Sequence, residues 1–107
     1  MSDSDAYVFH VSGSELLDDV EGQLLMLEGR PEENGRLDTI EDRISVLRAE
    51  ADLMRYHDVS ATCDRIVRLA RRLRGRPDAV REGAIHVMLN FVAQARRYID
   101  GMTRMAG

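Results

Sequence analysis

Lysine is missing from this chain: all 15 cationic side chains are arginine. With it are missing the Gly-rich phosphate loop and its lysine, and the strand-to-helix elbow that presents a nucleophilic serine, so ATP-dependent chemistry is not expected of this chain. There is one cysteine, Cys63. It has no intramolecular disulfide partner, fits a reducing compartment, and reads as a small core residue. The 3 histidines, His10, His57 and His86, lie far apart, and no two of them share the i, i+4 spacing of a helical metal site. No metal and no cofactor is expected. No apolar run approaches the roughly 20 residues of a membrane span, and the opening MSDSDAYVFH is acidic where a secretory signal is basic. These two features predict a cytoplasmic protein with no membrane contact.

What is present describes one soluble domain. The 107 residues suffice for a single core, and 44% apolar with 32% charged residues is too apolar for a disordered chain. The net charge of −4 hides an asymmetry: acidic residues concentrate before Val59 and arginines after it, so the two halves should attract. Arg65, Arg68, Arg71, Arg72, Arg74 and Arg76 cluster in the second half. The acidic balance and the lack of interleaved aromatics argue against nucleic acid, and the cluster reads as a solvated helix end that complements the helix dipole.

Pro31 and Pro77 lie in the short polar stretches EGRPEENG and LRGRPDAV, where helices should stop. Before the first break, Ser12 and Glu15 have capping-box spacing and Leu16, Val20, Leu24 and Leu27 recur every three or four residues, which predicts a helix over 13–28. Leu37, Ile40, Ile44, Leu47, Ala51 and Met54 predict a second over 36–55. The register then breaks near Tyr56 to Asp58, and Val59, Cys63, Ile66, Ala70 and Leu73 predict a third over 59–74, with Asp58 as N-cap and Gly75 as terminator. Val80, Ala84, Val87, Phe91, Ala95, Tyr98 and Met102 predict a fourth over 78–103. Short connections favour an all-α antiparallel four-helix bundle spanning 13–104, with Leu24, Ile44, Leu47, Ile66, Val87 and Phe91 buried. Residues 1–12 are expected as an N-terminal extension whose apolar part, Tyr7 to Val11, lies over one end of the bundle, and 105–107 as a C-terminal tail.

The informative face is on the second helix, where Glu41, Ser45, Arg48, Asp52 and Arg55 follow at steps of three or four, opposite the core stripe, with Ala49 among them. A plain solvated face with i, i+3 and i, i+4 ion pairs explains the charges. A hydroxyl beside a small residue also leaves room for another protein's backbone. The string Arg43, Ile44, Ser45, Val46, Leu47, Arg48, Ala49, Glu50, Ala51, followed by Tyr56, Val59 and the ending Leu73-Arg74-Gly75, resembles the histidine-containing phosphotransfer (Hpt) domain, in the version found at the start of chemotaxis histidine kinases. Members of that family read roughly R-A-A-H-T-L-K-G-S-A, then a Gly-Phe turn and an aliphatic helix ending L-R-x-G. The resemblance implies a four-helix bundle that docks a response-regulator receiver domain on the second helix. It places Ser45 at the position of the phosphoaccepting imidazole, Arg48 at that of the lysine and Ala49 at that of the glycine. Where the family often carries a glutamate to hold the imidazole, this chain has Ile66-Val67.

A serine phosphoester gives up its phosphoryl group far less readily than a phosphohistidine, and Ser45 has no evident base. The alternative acceptor, His57, begins the loose string His57-Asp58-Val59-Ser60-Ala61 at the register break. The expectation is therefore a module with no enzymatic activity: a degenerate Hpt-like domain that binds a receiver domain or histidine kinase through Glu41, Ser45, Arg48, Ala49 and Asp52. An unrelated helical adaptor, or a homodimerising bundle, is the other reading that amphipathic helices of this kind support.

Overall fold

In the computed structural model, which describes residues 3–106, the first helix, α1, runs over Asp3–Gly29. At ~1.5 Å per residue its 27 residues span roughly 40 Å, close to the 45 Å long axis of the molecule. The helix starts ten residues before the sequence reading places it. The reason lies in the stripe itself, which continues backwards from Val20 through Leu17, Gly13, Phe9 and Ala6 at steps of three and four, all of them buried. Residues 3–12 are therefore part of the core-forming helix rather than an extension over one end. The Phe9 ring meets Tyr56 edge-on, with centroids 5.0 Å apart and planes at 70°. Ser12 is consequently no N-cap. It sits in mid-helix, and its Oγ donates to the Glu50 carboxylate on the next helix, 3.0 Å from Oε2. The stripe also passes through Leu17, leaving Leu16 half-buried.

A turn over Arg30 to Asn34 leads into α2, Gly35–Leu53, whose Leu37, Ile40, Ile44, Leu47 and Ala51 are all buried as the spacing predicts. The helix ends in a Schellman motif. Tyr56 N–H donates to the Ala51 carbonyl at 2.9 Å, Arg55 N–H to that of Asp52 at 3.1 Å, and Arg55 takes the left-handed conformation with φ 60. This turn carries neither Gly nor Pro. Because a side chain in that region costs roughly 1–2 kcal/mol, Arg55→Gly is expected to stabilise the protein by about 0.5–1 kcal/mol after the unfolded-chain entropy of glycine is deducted. Urea denaturation checks this.

The third helix, α3, spans His57–Leu73. Asp58 lies inside its first turn rather than capping it, since the chain has already turned at Met54 to Tyr56; the Asp58 carbonyl accepts from Thr62 Oγ1 at 2.9 Å. At the far end Arg74 (φ −58, ψ 128) and Gly75 (φ 69) form a type II turn closed by Arg76 N–H to the Leu73 carbonyl at 3.0 Å, a geometry that calls for glycine at its third position.

The fourth segment is interrupted. A single turn, α4 (Pro77–Ala79), passes through a kinked stretch, Val80–Ala84, into α5, Ile85–Ala106. Gly83 breaks the helix with φ 102. Beyond it the buried positions are Ile85, Met88, Val92, Ala95 and Ile99. Val87, expected in the core, is 46% exposed, and Phe91, Tyr98 and Met102 are only half-buried. The kink moves the inward face by about one residue, which on a helix is roughly a 100° rotation. Of the expected tail, α5 extends through Ala106, and Gly107 lies outside the described residues.

All the elements found among the described residues are helical. α1 packs on α2 and α5, and α3 packs on the same two. Polar side-chain pairs mark which ends meet. Arg74 at the end of α3 reaches Asp38 at the start of α2, at 2.6 Å, and His10 near the start of α1 meets Asp100 near the end of α5, at 3.0 Å. Arg96 of α5 bridges Asp18 (2.7 Å) and Glu21 (3.1 Å) of α1. The Arg74 and Arg96 contacts join the arginine-rich second half to the acidic first half, in line with the charge asymmetry.

Candidate functional site

The outward and flanking faces of α2 hold every residue singled out for docking, and they divide into two groups. Glu41, Arg48 and Asp52 do not lie opposite the core. Arg48 is only roughly 60° from the centre of the buried stripe, counted at ~100° per residue, and so it faces the neighbouring α3. Its guanidinium pairs with Asp64 of α3 at 3.0 Å and, more loosely, with Asp52 at 3.9 Å. Asp52 also accepts from Ser60 Oγ on α3. Glu41 is gripped by two arginines of α3, Arg71 at 2.8 Å and Arg74. These three side chains fasten α2 to α3 and are committed within the chain.

Ser45 and Ala49 form the second group, both exposed; no hydrogen bond or ion pair engages Ser45 among the described residues. Beside them lie two residues that the sequence reading passed over. Val46 is half exposed and Leu53 is 85% exposed. Val46, Ala49 and Leu53 stand at i, i+3 and i+7, so they share a face about half a turn away from the core stripe. That spacing was the available signal: a second, shorter apolar row on a helix whose core row was already complete. Leu53 continues into an open groove of about 230 Å³ between α1 and α2, which also involves Val8, Phe9 and Met54 and carries Asp5 and Glu50 at its rim.

His57, the alternative phosphoacceptor, opens α3 and is exposed, at the opposite side of the Schellman turn from this face. His10 and His86 sit against Asp100 and Glu28, and no group of three His, Cys, Asp or Glu among the described residues could hold a metal. The Cys63 thiol is pushed up to about 12, first by burial and then by the Asp64 carboxylate. A thiol raised in the folded state contributes stability that is complete below its unfolded value and is lost as pH rises toward the folded one. From about pH 9 to 12 the parent should therefore lose stability relative to Cys63→Ala, by up to about tenfold in the folding constant per pH unit. Urea titrations across that range measure it; parallel curves for the two proteins would contradict the burial.

Among the described residues no helix is long and apolar enough to cross a membrane. No family model, curated protein or solved structure matches the chain.

Proposed function

We propose that the chain is an antiparallel four-helix bundle of the Hpt-like type, formed by α1, α2, α3 and α5, that acts in the cytoplasm as a signalling module. It binds a response-regulator receiver domain or histidine kinase through the outward face of α2 and carries out no phosphotransfer or other catalysis. The observation that supports this reading is the exposed pair of small residues, Ser45 and Ala49, flanked by the exposed aliphatics Val46 and Leu53. A small-residue centre lets a partner helix come close, and the aliphatic flanks supply burial of roughly 25 cal/mol per Å² once water leaves. Arg48 contributes less than the resemblance implies, because it is already paired with Asp64. Relay chemistry is disfavoured because the Ser45 hydroxyl is exposed and is hydrogen-bonded to no base among the described residues.

Calorimetric titration against receiver domains from the source organism tests the reading. Ala49→Trp, at a position facing solvent, should leave the fold intact and weaken receiver binding at least tenfold by blocking close approach. Unchanged affinity would remove α2 from the interface. Incubation with an active histidine kinase and ATP should leave no acid-labile phosphate on the chain, and phosphohistidine at His57 would overturn the non-transferring assignment.

The groove beside Leu53 supports a second reading, a bundle that dimerises with itself or with an adaptor through apolar burial. Sedimentation equilibrium separates the two, since self-association abolished by Leu53→Glu without any receiver binding favours the second.

A further inference from the structure

The arginines of α3 separate into two sets with different surroundings. Arg71 and Arg74 point toward α2 and are neutralised there by Glu41 and Asp38. Arg65, Arg68 and Arg72, on the flank toward α5, are exposed and pair with no carboxylate among the described residues. α5 has no acidic residue in its first turn, and its single acid, Asp100, is held by His10 at the other end of the molecule. In a chain of net charge −4 this face is a cationic strip with no neutralising partner among the described residues. Like charges at i, i+3 and i, i+4 spacing repel by a few tenths of a kcal/mol per pair, so the fold itself gains nothing from leaving them unmatched.

The strip borders a groove of about 280 Å³ whose floor is apolar: Leu69 from α3, with Val87 and Phe91 from α5. These two α5 residues are the ones that the Gly83 kink turns out of the core. Three arginines at i, i+3 and i+7 extend roughly 10 Å along the helix, about two turns.

We propose that this groove binds an acidic amphipathic helix of another protein, with aliphatic side chains laid on Leu69, Val87 and Phe91 and carboxylates on Arg65, Arg68 and Arg72. Guanidinium groups match carboxylates two bonds at a time, and an apolar groove with a charged rim is the form that accepts a helix by its i, i+3, i+7 anchors. A nucleic acid fits less well, because the ring of Phe91 is half-buried and the wall offers no exposed aromatic for base stacking. A bilayer fits less well too, since the apolar atoms line a recess rather than project from it. This site lies on α3 and α5 and is independent of the α2 face.

The test uses the full chain, isotopically labelled, and a capped 16-residue peptide with leucine at i, i+3, i+7 and i+10 and glutamate on both flanks. A scrambled isomer, phosphatidylglycerol vesicles and a 20-nucleotide RNA serve as comparisons. The expected result is amide shifts confined to α3 and α5, peptide affinity at least tenfold above that of the scrambled isomer, and at least tenfold weakening by Arg68→Glu combined with Arg72→Glu. The single variant Val87→Asp, on an exposed position, should weaken binding comparably and serves if the double variant is not folded by circular dichroism. Equal binding of both peptides, shifts on α1 and α2, undiminished affinity in the folded variants, or tighter binding to vesicles or RNA would each overturn the proposal.

Discussion

Leu47→Ala is expected to lower the stability of the protein by about 3–5 kcal/mol, in the upper part of the range of roughly 2–5 kcal/mol for truncating a buried leucine. The reason is what stands opposite. Leu47 is wholly buried, and its Cδ1 lies where α1 presents Gly13, close enough that a Cβ built on Gly13 would be 3.3 Å from it and 3.1 Å from Ile99 Cδ1. A glycine has no side chain that can swing into the vacated space, so the cavity cannot collapse from that side. The same geometry predicts a rescue. Adding Gly13→Ala to Leu47→Ala should recover about 1–2 kcal/mol, since the new methyl fills part of the cavity and alanine gains roughly 1 kcal/mol over glycine inside a helix. Arg48→Ala should cost under about 1 kcal/mol, because its bridge to Asp64 is half exposed. Urea denaturation of the three variants measures all of this; equal losses at positions 47 and 48 would mean that the faces of α2 are misassigned.

The reading of α2 and α3 from sequence succeeds for a physical reason: each stripe runs unbroken through its helix, and the periodicity alone decides which side is buried. The start of α1 escapes the same reasoning because Ser12 and Glu15 imitate a cap while the true stripe crosses them through Gly13, a residue that carries no apolar signal yet is buried. The candidate site divides along a similar line. That Ser45 and Ala49 face solvent follows from their angle to the core stripe. That Glu41, Arg48 and Asp52 are spent on α3 does not, because it depends on which neighbour lies on that flank and on where Asp64, Ser60, Arg71 and Arg74 fall along it. Leu53 belongs to the short row Val46, Ala49 and Leu53, whose i, i+3, i+7 spacing is legible but is overshadowed by the complete core stripe of the same helix.

The α5 register provides the second large test, because the uninterrupted spacing of the sequence and the kinked chain of the structure predict opposite outcomes for adjacent residues. If the helix ran straight from Asp78, Val87 would stand in line with Val80 and Ala84 and be buried. Instead Gly83 adopts φ 102, a conformation that residues with a side chain rarely take, and the helix resumes with Ile85 and Met88 inward. Met88 is completely buried, whereas Val87 has 46% of its surface in water. Met88→Ala should accordingly cost roughly 2–5 kcal/mol, and Val87→Ala under about 1 kcal/mol, the exposed valine losing little burial while alanine gains helix propensity. For a domain of this size the former corresponds to a fall in melting temperature of roughly 10–25 °C, well outside the error of a calorimetric scan. The reverse order of effects would straighten the helix and return Val87 and Phe91 to the core, and it would remove the apolar floor on which the α3–α5 groove depends.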